Sequence, residues 1–146
     1  MTPRQAAMQL EAQLRAGSIN DPAAAAAVDL LAAYDDSYWL RRLADPHDLA
    51  GVRRLIESAG RAGARVRWQE LAQAADSPLE NLFPTPVTRG ECERRVALRL
   101  ACSLACPDYK ISLHMIEPSM GLLFEALAAT LARLAVAPAA LIGAGA

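Results

Sequence analysis

Four pairs of a helix-capping residue and a following proline, apart from Thr85-Pro86 in the proline-rich segment 84–88, constrain the fold more than any other feature of the sequence. They are Thr2-Pro3, Asp21-Pro22, Asp45-Pro46 and Ser77-Pro78. A Ser, Thr or Asp side chain accepts a hydrogen bond from the first turn of a helix, and proline fits that turn because its missing N–H would have no helical partner there. Each pair therefore predicts the start of a helix.

The composition favours helices over strands, because alanine makes up about a fifth of the 146 residues and only 5% are aromatic. A chain of this length forms a sizeable core without disulfides or metals. We therefore expect an all-α fold, a single-domain bundle of about six or seven helices over residues 1–136. A linker-like segment is expected at 84–88 and a flexible Ala/Gly-rich tail at 137–146.

Apolar spacing sets the expected helix lengths in the first half of the chain. Val28, Leu31, Tyr34 and Tyr38 recur every three or four residues, which predicts one long helix from Pro22 to about Ala44. A second helix is predicted from Pro46 until Gly60 and Gly63 end it. Shorter helices are expected over 69–75 and after Ser77. Further on, Thr88 is a predicted N-cap for a helix over 89–105, and 109–117 is expected to be a loop.

The most apolar predicted helix spans Ser119–Val136, with large side chains in nearly every direction around its axis. Such a helix is expected to be buried in the bundle or against a partner chain. Because Glu125 and Arg133 make membrane insertion costly, no membrane span is predicted. The predicted interface residues are Leu123, Leu127, Leu131 and Leu134.

One group of residues has the chemistry of metal ligands, namely Cys92, Cys102, Cys106 and His114. Cys102 and Cys106 are four residues apart on one helix face, but Cys92 lies nearly three turns away and does not reach the same ion. The sequence contains no glycine-rich phosphate loop and no H-E-x-x-H motif. Reduced, buried thiols are therefore expected, with no metal, no cofactor and no enzymatic activity. A metal site of Cys102, Cys106 and His114 is the alternative.

The charges are nearly balanced, with a formal net charge of -1, which argues against a general nucleic-acid-binding surface. The nearest approach to a basic patch consists of Arg61, Arg65 and Arg67. Because guanidinium groups pair with phosphates, contact between this patch and a nucleic-acid backbone is one expectation.

The segment Trp68–Phe83 has the apolar spacing of a helix-turn-helix. Its apolar positions are Leu71, Ala72, Ala75, Leu82 and Phe83. Over about twenty residues it resembles the DNA-binding part of TetR-type repressors, which implies a dimeric transcriptional regulator. Asp76, Ser77 and Pro78 replace the glycine and small residues usual at that turn. The second helix carries Glu80 and no arginine, which weakens contact with DNA.

We expect a non-enzymatic small helical subunit or adaptor, which self-associates or binds a protein partner through the C-terminal helix. It would belong to a larger protein or nucleoprotein complex. Small helical subunits of CRISPR-type complexes have a similar size and helicity, a likeness of architecture alone. The first twenty residues lack a signal peptide pattern, which predicts a cytoplasmic protein. The alternative function is a helix-turn-helix DNA-binding regulator.

Overall fold

The computed structural model describes residues 1–45, 55–58, 60–76 and 88–145, with side chains described as far as Leu134. The fold is all-α, as the sequence predicts: the described residues form six helices and one small hairpin. The elements are α1 (Pro3–Gly17), α2 (Pro22–Ala33), α3 (Tyr38–Leu43), β1 (Ile56–Ser58), β2 (Ala64–Val66), α4 (Trp68–Asp76), α5 (Arg89–Ala105) and α6 (Gly121–Gly145).

Three of the predicted caps are confirmed by their hydrogen bonds. The Thr2 hydroxyl accepts from the Gln5 amide at 3.1 Å, and Gln5 accepts in return from the Thr2 amide at 2.9 Å. Asp21 accepts from the amide of residue 24 at 3.1 Å, and Thr88 from that of residue 91 at 3.1 Å. The helices predicted to start at Pro46 and Pro78 begin outside the described residues, as does the linker-like segment up to residue 87.

The prediction of one helix from Pro22 to Ala44 is wrong, because the chain turns between α2 and α3. Asp35, Asp36 and Ser37 have φ angles of 46°, 54° and 60°. Short polar side chains tolerate this left-handed conformation better than other residues. The turn is held by Arg41, whose guanidinium donates to the carbonyls of Asp36 at 3.0 Å and Asp35 at 3.2 Å. As a result, Trp39 on α3 lies in the core rather than on an extension of α2.

A hairpin replaces the end of the helix predicted between Pro46 and Gly60. Ile56 pairs with Val66 in the antiparallel register. The turn contains Gly60 and Gly63, whose φ angles of 64° and 96° favour glycine. The hairpin also lies close to α1, since a Cβ atom on Gly63 would stand 2.4 Å from the carbonyl oxygen of Gln13. Residues 46–54 of the predicted helix lie outside the described chain.

Helix α2 is the centre of the core and packs against both α5 and α6. Its Leu30 and Leu31 are fully buried. At its end, the buried Tyr34 hydroxyl donates to Glu93 of α5 at 2.7 Å. Burial raises the pKa of Tyr34, and the hydrogen bond to Glu93 raises it further. On α5, Leu104 is exposed, although its spacing predicts the same buried face as Val96.

Within this chain helix α6 is covered on one side only, so the bundle alone does not bury it in every direction, and burial of the rest against a partner chain stays a prediction. Leu123, Ala126 and Thr130 form the buried stripe, because α6 packs mainly on α2. Phe124 is 45% exposed and Leu131 is 63% exposed. The helix also continues past Val136, where the sequence predicts its end, to Gly145. The alanine-rich sequence there favours helix strongly enough to offset a single proline.

Candidate interaction surfaces

The exposed side of α6 presents an apolar surface, which we call the apolar flank and define as Phe124, Leu127, Ala128 and Leu131. These residues are spaced three and four apart, so they lie along one side of the helix. Leu127 is half-buried at the edge of the core, whereas Phe124, Ala128 and Leu131 are exposed. These four side chains are uncharged, and Glu125 borders them beside Ala128. The flank is therefore a surface of the kind that protein partners cover.

The four predicted interface residues divide between the core and the surface. Leu123 is 0% exposed within this single chain and belongs to the core. Leu127 and Leu134 are half-buried, and Leu131 is 63% exposed. Phe124, which the predicted set does not include, is 45% exposed. Its separation of seven residues from Leu131, two helical turns, is the signal that places both on the same side.

An ion-pair network fixes α6 on the rest of the chain. Asp29 of α2 binds Arg133 of α6 at 2.7 Å and also binds Arg15 of α1. Arg15 pairs in addition with Glu11 at 3.0 Å. Although burial lowers the pKa of Arg15, hydrogen bonds to Asp29 and Glu11 raise it overall, so the guanidinium stays charged. Together with the packing of the buried Leu123, Ala126 and Thr130, this ion pair orients α6 on α2 and leaves Phe124 and Leu131 exposed.

The predicted arginine patch divides into two parts. Arg61 lies in the turn between the strands and Arg65 lies on β2, and both side chains line one groove. Arg67 does not line it and instead approaches Glu70 at 3.6 Å. The structure thus brings two of the three arginines together and turns the third toward α4.

The groove, which we call the hairpin groove, is lined by the α1–α2 loop from Gly17 to Asp21, by Arg61 and Arg65, and by Trp68. Its volume is about 610 Å³. Arg65 donates from Nε to the carbonyl of Gly17 at 3.2 Å. The indole of Trp68 is half-buried. Sequence spacing misses this site because the loop and the hairpin are more than 40 residues apart along the chain.

The first helix of the predicted helix-turn-helix exists as α4, and its apolar face packs on α5. Its C-terminal end is bound by α5 and the following loop: Arg95 donates to the Ala75 carbonyl at 2.8 Å. Asp76 pairs with Arg99 at 3.0 Å and accepts from the Tyr109 hydroxyl at 2.8 Å. The turn and second helix fall within residues 77–87, outside the described chain, so DNA binding by this motif stays a prediction.

The cysteine cluster gains no third ligand in the described part of the chain, where no three His, Cys, Asp or Glu side chains are placed to hold a metal ion. Cys102 is fully buried, and this burial raises the pKa of its thiol. Cys106 is partly buried, and burial raises the pKa of its thiol as well. His114 lies on an exposed turn. These thiols therefore stay protonated near neutral pH.

Function has to be inferred from the chain's own surfaces. No protein-family model matches the sequence, and no curated protein or solved structure matches it significantly. Among the described residues, no helix combines the length and hydrophobicity that crossing a membrane requires. The two surfaces with distinctive chemistry are the apolar flank of α6 and the hairpin groove.

Proposed function

We propose that this chain is a non-enzymatic helical subunit that assembles with a second copy of itself through the apolar flank of α6. The observation that carries the proposal is the exposure of Phe124 and Leu131, two turns apart on a helix whose neighbouring face is buried in the core. Burying a large apolar side chain contributes about 1.5–3 kcal/mol. A flank that presents two such side chains to water favours association.

A second copy fits the flank because the flank is complementary to itself. Two α6 helices that cross antiparallel, with a two-fold axis beside Leu127 and Ala128, bring Phe124 of each chain against Leu131 of the other. Such a contact uses the same surface twice, as most symmetric dimers do. The small side chain of Ala128 at the centre allows the helices to approach closely.

The strength of this contact follows from the exposed fractions. Phe124 and Leu131 are about half exposed, so covering both on each of two chains contributes roughly 3–6 kcal/mol. Lost rotational and translational freedom opposes this gain, and the surrounding surface of α6 adds to it. We therefore expect a weak, concentration-dependent dimer; a Kd of about 1 mM corresponds to a net association free energy of about −4 kcal/mol.

The test compares two substitutions on adjacent residues of α6. Leu131→Glu places a carboxylate on the apolar flank, whereas Ala132→Glu places it about 100° around the helix axis, off the flank. Both sites are exposed, so circular dichroism should show the same helix content in both variants. The apparent mass is then measured by size-exclusion chromatography with light scattering.

The proposal predicts that the unmodified chain and Ala132→Glu increase in apparent mass with concentration, and that Leu131→Glu stays a monomer. A Leu131→Glu protein that associates like the unmodified chain would overturn it. Equal disruption by both substitutions would also overturn it, because the contact would then not be confined to the flank.

A further inference from the structure

We propose that the hairpin groove binds a nucleoside phosphate, with the phosphate between Arg61 and Arg65 and the base against Trp68. This site is separate from the apolar flank, since it lies between the α1–α2 loop and the hairpin. The inference therefore stands or falls independently of self-association. It rests on the two guanidinium groups, on the aromatic wall and on the size of the groove.

The two arginines are available for an anion. Within the described part of the chain, Arg61 is exposed and has neither an ion-pair nor a hydrogen-bond partner. Arg65 uses Nε on the carbonyl of Gly17, which positions the guanidinium and leaves its terminal nitrogens for a ligand. Planar guanidinium groups bind phosphate oxygens with two parallel hydrogen bonds, which favours phosphate over a spherical anion.

The acidic groups around the groove do not neutralise these arginines. Asp21 lines the groove, but its carboxylate caps α2 by accepting from an amide at 3.1 Å. The positive end of the α2 dipole stands at the same place and offsets that charge. Glu57 is opposite Arg65 in the strand register, yet these two described side chains form no ion pair. Asp21 and Glu57 reduce the positive charge of the groove, but among the described side chains neither forms an ion pair with Arg61 or Arg65, so both guanidiniums stay open to an anion.

The groove also has an aromatic wall and the volume of a small-molecule site. Trp68 is half-buried and is one of the residues that line the groove. An indole offers a flat face on which a base stacks. The volume of about 610 Å³ lies in the range of about 300–1,000 Å³ that ligand pockets occupy. Phosphate-binding groups beside a stacking surface match a nucleoside phosphate better than phosphate alone.

Binding is tested by calorimetry with four probes: adenosine 5′-monophosphate, adenosine, inorganic phosphate and a short single-stranded oligoadenylate. We expect the monophosphate to bind more tightly than adenosine or phosphate. Binding of the oligoadenylate at least about tenfold tighter than the monophosphate identifies the end of a nucleic acid strand as the source. Equal affinities for the oligoadenylate and the monophosphate identify a free nucleotide as the source. Undetectable binding of both nucleotides at about 1 mM would overturn the proposal, and so would phosphate binding as tightly as the monophosphate.

Substitutions then locate the site. The double variant Arg61→Ala with Arg65→Ala should weaken monophosphate binding at least about tenfold. Arg67→Ala removes the same kind of charge two residues from Arg65 but outside the groove, and should leave the affinity unchanged. If Arg67→Ala weakens monophosphate binding as much as Arg61→Ala alone, binding depends on overall positive charge and the proposed site is contradicted. The spectrum of circular dichroism checks that each variant is folded.

Fluorescence tests the stacking contact. Trp68 borders the groove, whereas Trp39, the other tryptophan, is buried and donates from its indole nitrogen to the Arg94 carbonyl at 2.7 Å. We expect the monophosphate to quench the fluorescence of the unmodified chain, and Trp68→Phe to abolish that change. Quenching that persists in Trp68→Phe would come from Trp39 and would contradict a ligand in the hairpin groove.

Discussion

Gly17, the last residue of α1, is a point at which α1 and the hairpin approach closely. A Cβ atom added there would lie 2.0 Å from the carbonyl oxygen of Ala64 and 2.8 Å from its carbonyl carbon. These are backbone atoms of β2, so the clash is relieved only if the hairpin moves. Overpacking of this kind lowers the free energy of unfolding by about 1–3 kcal/mol, and the higher helix propensity of alanine offsets at most about 1 kcal/mol of that loss. Gly17→Ala should therefore destabilise the chain by about 2 kcal/mol.

Thermal unfolding followed by circular dichroism measures this effect. For a domain of this size, 2 kcal/mol corresponds to a decrease in Tm of roughly 4–8 °C. Gly121→Ala is the matched control, because a Cβ atom at Gly121 would meet nothing within 4 Å. Its Tm should stay the same or increase slightly, since alanine favours a helix. A Gly17→Ala protein with an unchanged or higher Tm would refute the close approach of α1 and β2.

Three further predictions concern buried polar groups. Tyr34→Phe removes the hydroxyl that donates to the buried Glu93, so urea unfolding should show a free energy of unfolding lower by about 1–3 kcal/mol. An unchanged urea midpoint would contradict that contact. Burial raises the pKa values of Tyr34 and Tyr109 in the folded state, so these tyrosines ionise first in the unfolded state. The free energy of unfolding should therefore decrease as the pH rises above 10.0, and it should decrease less steeply in the Tyr34→Phe variant. Cys102, buried and with a raised pKa, should react with a thiol reagent more slowly than Cys92; equal rates in the folded chain would contradict its burial.

The sequence predicts the starts of α1, α2 and α5 because capping depends only on neighbouring residues. Thr2, Asp21 and Thr88 each accept a hydrogen bond from an amide three residues further along. Such local geometry is encoded in a few adjacent side chains. The all-α class is also predictable, because the alanine-rich and aromatic-poor composition favours helices over strands.

The turn at 35–37 and the hairpin are not predictable in this way, because contacts distant along the chain decide them. The apolar spacing passes through Tyr34 and Tyr38 without interruption, although the backbone between them turns. The hairpin lies against α1 through Gly17 and Gly63, and neither glycine shows in the sequence what it packs against.

The same limit applies to the two surfaces. Composition indicates that α6 is apolar, but which side remains exposed depends on α2 being its main neighbour. Leu123 and Leu131 have equal hydrophobicity, yet one is buried and the other is exposed. Likewise, the arginines of the hairpin groove are visible in the sequence, whereas the approach of the α1–α2 loop that completes the groove is not.

Sedimentation equilibrium of the unmodified chain over a range of concentrations tests self-association most directly. The chain has a mass of 15.6 kDa. Burial of the apolar flank between two copies predicts an apparent mass that increases with concentration toward twice this value and does not exceed it, since a two-fold contact closes on itself. A mass that stays at 15.6 kDa up to about 1 mM, or one that rises without limit, would contradict the dimer.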